Sequence, residues 1–167
     1  MHAVECIKML THRYRYQQAH LPIAEQHTIE GHSVRAMYLL TAVADLVRLD
    51  VSQSKDISQL KSAMYRLWDN MVGCKMYIIG GIGAIKAWEG FGPDYFLPQS
   101  TDDGGCYAET CASIGVMMLA ERLLNVSDAM LNNTILASLT THSLELPTMV
   151  LTANTATSWS FASTIPC

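Results

Sequence analysis

The stretch GGIGAIKAWEGFGPDYFLPQSTDDGGCYAETC, residues 80–111, decides the organisation of this 167-residue chain. It holds seven of the ten glycines and two of the five prolines, so it interrupts the helical patterns on both sides of it. A loop of this length inside a compact domain is generally either functional or disordered. Its five aromatic residues argue against disorder, because disordered segments are poor in aromatic side chains. We therefore interpret residues 80–111 as a loop that carries a functional site.

The segments outside this loop follow the pattern of amphipathic helices, with apolar side chains at intervals of three and four residues. Five segments show it: residues 3–18, 33–49, 60–73, 110–124 and 127–136. Between them, residues 50–57 are predicted to be a polar turn, and the polar connector at residues 20–31 is either a solvated loop or the wall of a pocket. Because the helices follow one another without a convincing strand, the chain is predicted to be all-α.

The last thirty residues differ in composition from the rest of the chain. Residues 138–167 contain twelve serines and threonines and a single charged side chain, and helical periodicity disappears. The β-branched residues there allow strands, but Pro147 and Pro166 interrupt them. We expect residues 1–136 to be part of one helical domain and residues 137–167 to be an irregular or β-like tail.

Charge and hydropathy exclude several classes of partner. The formal net charge of −4 leaves no basic surface for nucleic acid or for an anionic membrane. No run approaches the roughly 18 consecutive apolar residues of a membrane span. The N-terminal residues lack the layout of a signal peptide, and five cysteines is an odd number without a disulfide-framework spacing. These features favour a cytoplasmic location.

Glu109 and Cys111 lie two residues apart where the loop is predicted to meet a helix N-terminus. Exposed backbone N–H groups and the helix dipole favour negative charge there, so a cysteine at this position tends toward the thiolate. Thiolate and carboxylate both bind zinc, which typically takes four ligands. The pair is either half of a zinc site that Cys106 and Cys167 would complete, or a structural cysteine beside a capping glutamate. The spacing alone favours the structural alternative.

Glu89 lies among aromatic residues, directly after Trp88 and two residues before Phe91. A carboxyl group surrounded by aromatic side chains is desolvated, which raises its pKa and suits it to general acid catalysis. An exposed loop glutamate is equally compatible with the sequence. The glycines of residues 80–83 match neither a dinucleotide-binding nor a P-loop pattern, so a phosphate site is not indicated.

Six segments, in this order and spacing, resemble glycoside hydrolase family 127, the β-L-arabinofuranosidases. They are HLPIAEQ (20–26), EGHSVRAMY (30–38), LWDNM (67–71), KMYIIGGIG (75–83), EGFGPDYFLP (89–98) and YAETCAS (107–113). No single segment is decisive, but six in register are specific. The resemblance covers roughly residues 1–136.

The resemblance implies an (α/α)6 barrel. This chain would contribute a partial barrel of four to five helices, with a long glycine-rich site loop and an irregular Ser/Thr-rich C-terminal tail. It also implies a retaining glycosidase for terminal β-L-arabinofuranosides or similar sugars. A zinc-bound cysteine thiolate would replace the second carboxylate that most retaining enzymes use as nucleophile. Zinc is thus the implied cofactor, and a carbohydrate is the implied substrate.

Position by position, the resemblance implies that Glu89 is the general acid/base and that Glu109 and Cys111 are two zinc ligands. His32 would contact the bound sugar. Family members carry a later Cys-Cys-Pro-Pro-Asn motif, whose two cysteines ligate zinc and one of which is the nucleophile. Cys167 stands where this motif would begin, so it is the candidate nucleophile and a further zinc ligand.

We expect the chain to be a fragment or truncated homologue of such an enzyme, because a complete (α/α)6 barrel has more helices than the sequence predicts. Two alternatives stay open at this point. One is a non-catalytic helical module, whose uncovered apolar helix faces mediate self-association or partner binding. The other is a small zinc-binding domain with Cys106, Glu109, Cys111 and Cys167 as ligands.

Overall fold

The computed structural model describes residues 14–50, 54–99 and 107–126. Three α-helices form the framework of these residues, α1 (Ser33–Leu49), α2 (Lys55–Cys74) and α3 (Thr110–Val126). Two 3-10 helices, Ile23–Glu25 and Lys86–Trp88, lie in the connecting segments. Strand-like pairing within the described ranges is confined to three isolated bridges. The prediction of an all-α fold is therefore confirmed.

The helix boundaries follow the sequence pattern with one informative difference. Helix α1 has the predicted bounds, and α3 continues two residues further than predicted. Helix α2 begins five residues earlier, inside the predicted polar turn, because Ser54 Oγ accepts a hydrogen bond from the Ile57 N–H at 3.3 Å and caps the helix. The predicted helix at 3–18 lies mainly outside the described residues. The predicted helix at 127–136 and the tail at 137–167 lie wholly outside them.

Helices α1 and α3 run parallel to each other. Near their starts, Gly115 lets α3 approach α1 closely, since a Cβ at that position would lie 2.7 Å from Met37 Cβ. Near their ends, Arg122 Nε lies 3.7 Å from Asp45 Oδ1. Both contacts join corresponding positions of the two helices. The N-terminal ends of α1 and α3 therefore lie at the same end of the molecule.

Helix α2 runs in the opposite direction, so its C-terminal end lies beside the N-terminal ends of α1 and α3. Asn70 Oδ1, near the end of α2, accepts a hydrogen bond from the Ile29 N–H just before α1 at 2.9 Å. The apolar core lies between the three helices, where Met37, Trp68 and Leu119 are almost completely buried. In the part of the chain described, no helix is long and apolar enough to cross a membrane.

Candidate active site

Backbone hydrogen bonds fasten the glycine-rich loop to the start of α1. The Phe91 N–H donates to the Gly31 carbonyl oxygen at 2.9 Å. The backbone N–H and the hydroxyl of Ser33 both donate to the Glu89 carbonyl oxygen, at 3.0 and 2.8 Å. This pairing places His32 beside Glu89, although the two residues are far apart in the sequence.

Glu89 has a backbone conformation that is uncommon for a residue with a side chain. Its φ is +55°, in the left-handed region, where it ends the 3-10 helix Lys86–Trp88. The two donors from Ser33 hold its carbonyl oxygen in this position. The side chain is 48% exposed, and its Oε2 lies 3.2 Å from His32 Nε2. Of the two alternatives that the sequence left open, the structure therefore shows the exposed loop glutamate, whose carboxyl group lies beside an imidazole.

The His32 ring is held in place from its other side. Its side chain is 14% exposed, and its Nδ1 is buried without a hydrogen-bond partner within the described ranges. The ring meets Tyr16 edge to face, with centroids 5.5 Å apart. The Arg35 guanidinium lies 5.2 Å from the centroid of the same tyrosine. This packing directs Nε2 toward Glu89.

Two side chains hold the Glu109 carboxylate. The Tyr107 hydroxyl donates to Oε1 at 2.7 Å, and the Cys111 Sγ donates to Oε2 at 3.2 Å. The Glu109 carbonyl oxygen accepts the N–H groups of Ala112 and Ser113, each at 3.1 Å. Glu109 is thus fixed both by its own side-chain partners and by the first turn of α3.

The ionisable groups of the site act on one another. Hydrogen bonds from Tyr107 and then from Cys111 lower the pKa of Glu109, and the charge of His32 lowers it further. The hydrogen bond to Glu109 raises the pKa of Tyr107 to about 12, with smaller contributions that include the Glu89 carboxylate. The His32–Glu89 pair therefore lies within electrostatic reach of Tyr107 and Glu109, which precede α3.

Cys111 differs from what its position suggested. Partial burial, followed by the hydrogen bond to Glu109, raises the pKa of the Cys111 thiol. The α3 backbone N–H groups lower this pKa, as expected at a helix N-terminus, but burial and the Glu109 carboxylate together outweigh them. Without a cation, Cys111 is a neutral thiol that donates to Glu109. A coordinated divalent cation deprotonates a thiol outright.

The Glu109–Cys111 pair has ligand atoms of the types that zinc binds, but it supplies only part of a ligand set. Thiolate sulfur and carboxylate oxygen are both zinc ligands, and the two atoms already converge. Among the residues that the structure describes, no group of three or more His, Cys, Asp or Glu side chains could hold a metal ion. Any further ligands must come from elsewhere, and the candidates Cys106 and Cys167 lie outside the described residues.

The glycines of residues 80–83 have a packing role. Gly83 has a φ of +88°, and a Cβ there would lie 2.8 Å from Ser33 Oγ. A Cβ at Gly81 would lie 2.7 Å from Ala108 Cβ. These two glycines let one turn of the loop touch both the start of α1 and the segment before α3. They thereby bring the two halves of the site together.

A buried lysine fastens the far side of the loop. Lys75 Nζ donates to the Gly92 carbonyl oxygen at 3.0 Å and lies 3.3 Å from Asp94 Oδ1. Asn70 Nδ2 donates to the same Asp94 oxygen at 3.2 Å. The end of α2 therefore holds the loop segment that follows Glu89.

The structure brings together four of the site residues predicted from the sequence, His32, Glu89, Glu109 and Cys111. Sequence reasoning missed Ser33, Tyr107 and Lys75. Tyr107 had a local signal, because it lies two residues before Glu109. Ser33 and Lys75 had none, since their partners are distant in the chain and are reached only through the fold.

Comparisons with known proteins point to one family. The model of the β-L-arabinofuranosidase GH127 catalytic domain matches residues 3–135. The non-reducing end β-L-arabinofuranosidase of Bifidobacterium longum subsp. longum is 40% identical over 111 residues, which are 66% of this chain and 16% of that protein.

Two solved structures have the same fold in the region that they share with this chain. A GH127 β-L-arabinofuranosidase from Geobacillus stearothermophilus T6 matches with a TM-score of 0.63 at 37% identity, over 78% of this chain and 19% of its own. A GH127 β-arabinofuranosidase matches with a TM-score of 0.59 at 40% identity, over 67% of this chain and 16% of its own. The chain thus spans less than a fifth of the length of these relatives. The shared fold confirms the partial helical barrel that was predicted from the sequence.

Proposed function

Because this chain belongs to glycoside hydrolase family 127, we propose that it carries the acid/base part of a retaining glycosidase site. The substrates are terminal β-L-arabinofuranosides or similar sugars, as the names of its relatives suggest. Residues 1–136 are the portion of the catalytic domain that this chain supplies. The observation that carries the proposal is the pairing of Glu89 with His32, within electrostatic reach of Glu109.

Glu89 is the proton donor of the proposed reaction. Its carboxyl group is half exposed, so a glycosidic oxygen can reach it. It protonates the leaving oxygen and then accepts a proton from the water that releases the sugar, the two roles that one carboxyl group fills in a retaining enzyme. His32 is held 3.2 Å from this carboxylate and contacts the hydroxyl groups of the bound sugar.

Glu109 and Cys111 are the residues that would hold zinc, and Cys167 is the proposed nucleophile and a further ligand. A bound zinc ion lowers the pKa of a coordinated thiol and holds the sulfur in place. In the chain itself, Tyr107 keeps the Glu109 carboxylate oriented toward Cys111. The rate of hydrolysis therefore depends on Glu109 and Cys111 as well as on the acid.

The activity test uses the full chain loaded with zinc and an aryl β-L-arabinofuranoside. Glu89→Gln should lower kcat/KM by about 10²–10⁴-fold, because general acid–base catalysis contributes on that order. Glu25→Gln replaces an exposed glutamate of a 3-10 helix and is the matched control, with unchanged activity. A zinc-loaded preparation that hydrolyses no aryl glycoside contradicts the proposed activity of this chain.

Metal analysis tests the ligands independently of activity. We expect one zinc per chain, lost in Cys111→Ala and retained in Cys74→Ala, which removes the other free cysteine of the described residues. Loss of zinc in Cys167→Ala supports the proposed nucleophile as a ligand. Zinc that survives Cys167→Ala but not Cys111→Ala would confine the metal to the loop and would remove Cys167 from the proposed ligands.

A second candidate function is that of a helical interaction module without catalysis. Leu46 and Leu49 on α1 are 54% and 69% exposed, and Ile78 and Ile79 in the turn after α2 are 77% and 73% exposed. Exposed apolar side chains of this size favour association. Concentration-dependent self-association that Leu46→Ser with Leu49→Ser abolishes, in a chain without hydrolytic activity, would support this function over the first.

A further inference from the structure

Gln18 is a buried residue with an uncommon backbone conformation, and none of the roles above uses it. It is 7% exposed, and its φ is +58°, in the left-handed region. Among the described residues, the other positions with a side chain and a positive φ are Glu89 and Tyr95. Glycine would adopt this conformation without strain, and glutamine does not. Strain of this kind concentrates at functional sites, where the side chain has a task that offsets it.

The Gln18 carboxamide donates to backbone carbonyl groups on both sides of Gly31. Its Nε2 lies 3.0 Å from the Glu30 carbonyl oxygen, 3.2 Å from that of His32 and 3.1 Å from that of Tyr16. Because all three neighbours are acceptors, only the NH2 group of the amide can face them. Gly31 permits this approach, since a Cβ there would lie 2.6 Å from Gln18 Nε2. The amide therefore fixes the peptide groups before Gly31 and after His32.

The backbone at His32 is held between this amide and the glycine-rich loop. On the side of the amide, the His32 N–H also donates to the Tyr16 carbonyl oxygen at 3.1 Å. On the side of the loop, the Phe91 N–H donates to the Gly31 carbonyl oxygen at 2.9 Å. Loss of the amide would weaken the first side only. The imidazole of His32 should then change its position relative to the Glu89 carboxylate and to the Tyr16 ring.

Gln18 is in turn anchored to the helical framework. Its carbonyl oxygen accepts a hydrogen bond from Gln26 Nε2 at 2.9 Å, and Gln26 is 3% exposed. The Gln26 carbonyl oxygen accepts a hydrogen bond from Arg66 Nε, on α2, at 2.9 Å. Because Gln18 and Gln26 are buried, water does not compete for these bonds and the low local dielectric strengthens them. A continuous series of hydrogen bonds thus joins α2 to His32.

We propose that Gln18 is a positioning residue for substrate binding, which acts through the His32 imidazole. The inference rests on the proposed function, from which it takes the contact between His32 and the hydroxyl groups of the sugar. Gln18 itself is buried, so a substrate does not reach it. The backbone of Glu89 is held separately, by the two donors of Ser33. Gln18 therefore affects the binding of the sugar, measured by KM, more than the proton transfer at Glu89, measured by kcat.

The first test is a double-mutant cycle between Gln18 and His32, measured with the full, zinc-loaded chain and an aryl β-L-arabinofuranoside. Gln18→Gly suits the positive φ but removes the amide, so it should raise KM about tenfold, with a smaller change in kcat. In a His32→Ala background, the same substitution should raise KM no further, because the residue through which Gln18 acts is gone. Equal increases in both backgrounds would show a merely structural role and would overturn the proposal.

Two further variants separate the reach of the amide from its burial. Thr41→Val removes another buried side-chain hydrogen bond, to the Met37 carbonyl oxygen of α1, and Thr41 is also 7% exposed. This matched control should leave KM unchanged. Gln18→Asn keeps an amide and tolerates the positive φ, but it is one methylene shorter, so it should raise KM as Gln18→Gly does. If Gln18→Gly does not fold, Gln18→Asn takes its place in the cycle, and a wild-type KM in Gln18→Asn overturns the proposal.

NMR of the isotope-labelled full chain distinguishes a failure of this inference from a failure of the proposed function. At one fixed pH, the His32 ring signals should move in Gln18→Gly and in Gln18→Asn, because the ring changes its position beside Tyr16. This result is expected whether or not the wild-type chain hydrolyses a glycoside. The ring signals of His27, an exposed residue of the same connecting segment, are the internal control and should stay in place. His32 signals at their wild-type positions in both variants overturn the inference even if the chain is active.

Discussion

The helical layer and the glycine-rich loop of this protein are held together by different interactions. Between the helices, at most 2% of the surface of Met37, Trp68 and Leu119 is exposed, and apolar contact is the main stabilising interaction. In the loop, Glu89, Gly92 and their neighbours are held by hydrogen bonds to backbone carbonyl oxygens. The loop keeps large side chains such as Tyr95 and Phe96 exposed.

Because of this difference, we expect stability and the proposed function to depend on different residues. Apolar burial is non-directional, so a helical core accepts many side chains of suitable volume. A hydrogen bond has a narrow range of distances and angles, so the loop has one arrangement. The residues that we propose for chemistry lie in or beside the loop. Substitutions in the core should therefore change the free energy of unfolding most, while substitutions that hold the loop should change the site at a smaller cost in stability.

The largest effect is expected in the core. Trp68→Ala should lower the free energy of unfolding by about 3–5 kcal/mol, because it removes a fully buried aromatic side chain and leaves a cavity. Leu49→Ala is the matched control at an exposed apolar position and should change it by less than about 0.5 kcal/mol. Urea denaturation measures both. An equal loss in the two variants would mean that the described core does not dominate stability.

The next effect concerns the glycine that joins the loop to α1. Gly83→Ala should destabilise the protein by about 1–3 kcal/mol, since Gly83 has a φ of +88° and the new methyl group would meet Ser33 Oγ at 2.8 Å. Gly73→Ala, in helix α2 with no atom within 4 Å of the new Cβ, should instead stabilise it by about 0.5–1 kcal/mol. In the same denaturation assay, the two substitutions should change the free energy of unfolding in opposite directions. Two changes of the same sign would contradict the loop geometry.

A smaller loss of stability with a larger consequence for the site is expected at Ser33. Ser33→Ala removes one of two donors to the Glu89 carbonyl oxygen and should cost about 1 kcal/mol. Ser62→Ala, which removes a hydroxyl hydrogen bond on the exposed surface of α2, is the control and should be nearly neutral. If Glu89 is the acid, Ser33→Ala should lower kcat more than it raises KM. A change in KM alone would show that Ser33 does not position Glu89.

The smallest effect depends on pH and lies on the surface of α2. Burial raises the pKa of Asp69 above its ordinary value of 3.8, so the folded chain binds this proton more tightly than the unfolded chain does. The ionised carboxylate therefore costs stability at neutral pH, and the cost disappears as the pH falls through the raised pKa.

Asp69→Asn should accordingly stabilise the protein at pH 7, by less than about 0.5 kcal/mol because the side chain is exposed to solvent. The difference between variant and wild type should vanish in acid. Denaturation midpoints at several pH values measure this. A stabilisation that grows as the pH falls would have the wrong sign and would contradict the raised pKa of Asp69.

The helices were predictable from the sequence because their signals are local. Apolar spacing marked α1 and α3 closely, and only the Ser54 cap, which moved the start of α2, was missed. The site was predictable in part, because His32, Glu89, Glu109 and Cys111 stand in segments that resemble one family. The roles of Ser33 and Lys75 were not predictable, since each acts on a carbonyl group that is remote in the chain.

The sequence by itself determined the all-α class and the position of the long loop, which follow from periodicity and composition. The candidate site residues came from the resemblance of six segments to one family. Only the tertiary structure decided that the Glu89 carboxylate lies open beside His32 and that Cys111 donates to Glu109. These properties depend on the parallel approach of α1 and α3 and on two glycines that let the loop touch both. Contacts between segments distant in the chain exist only once the core has brought them together.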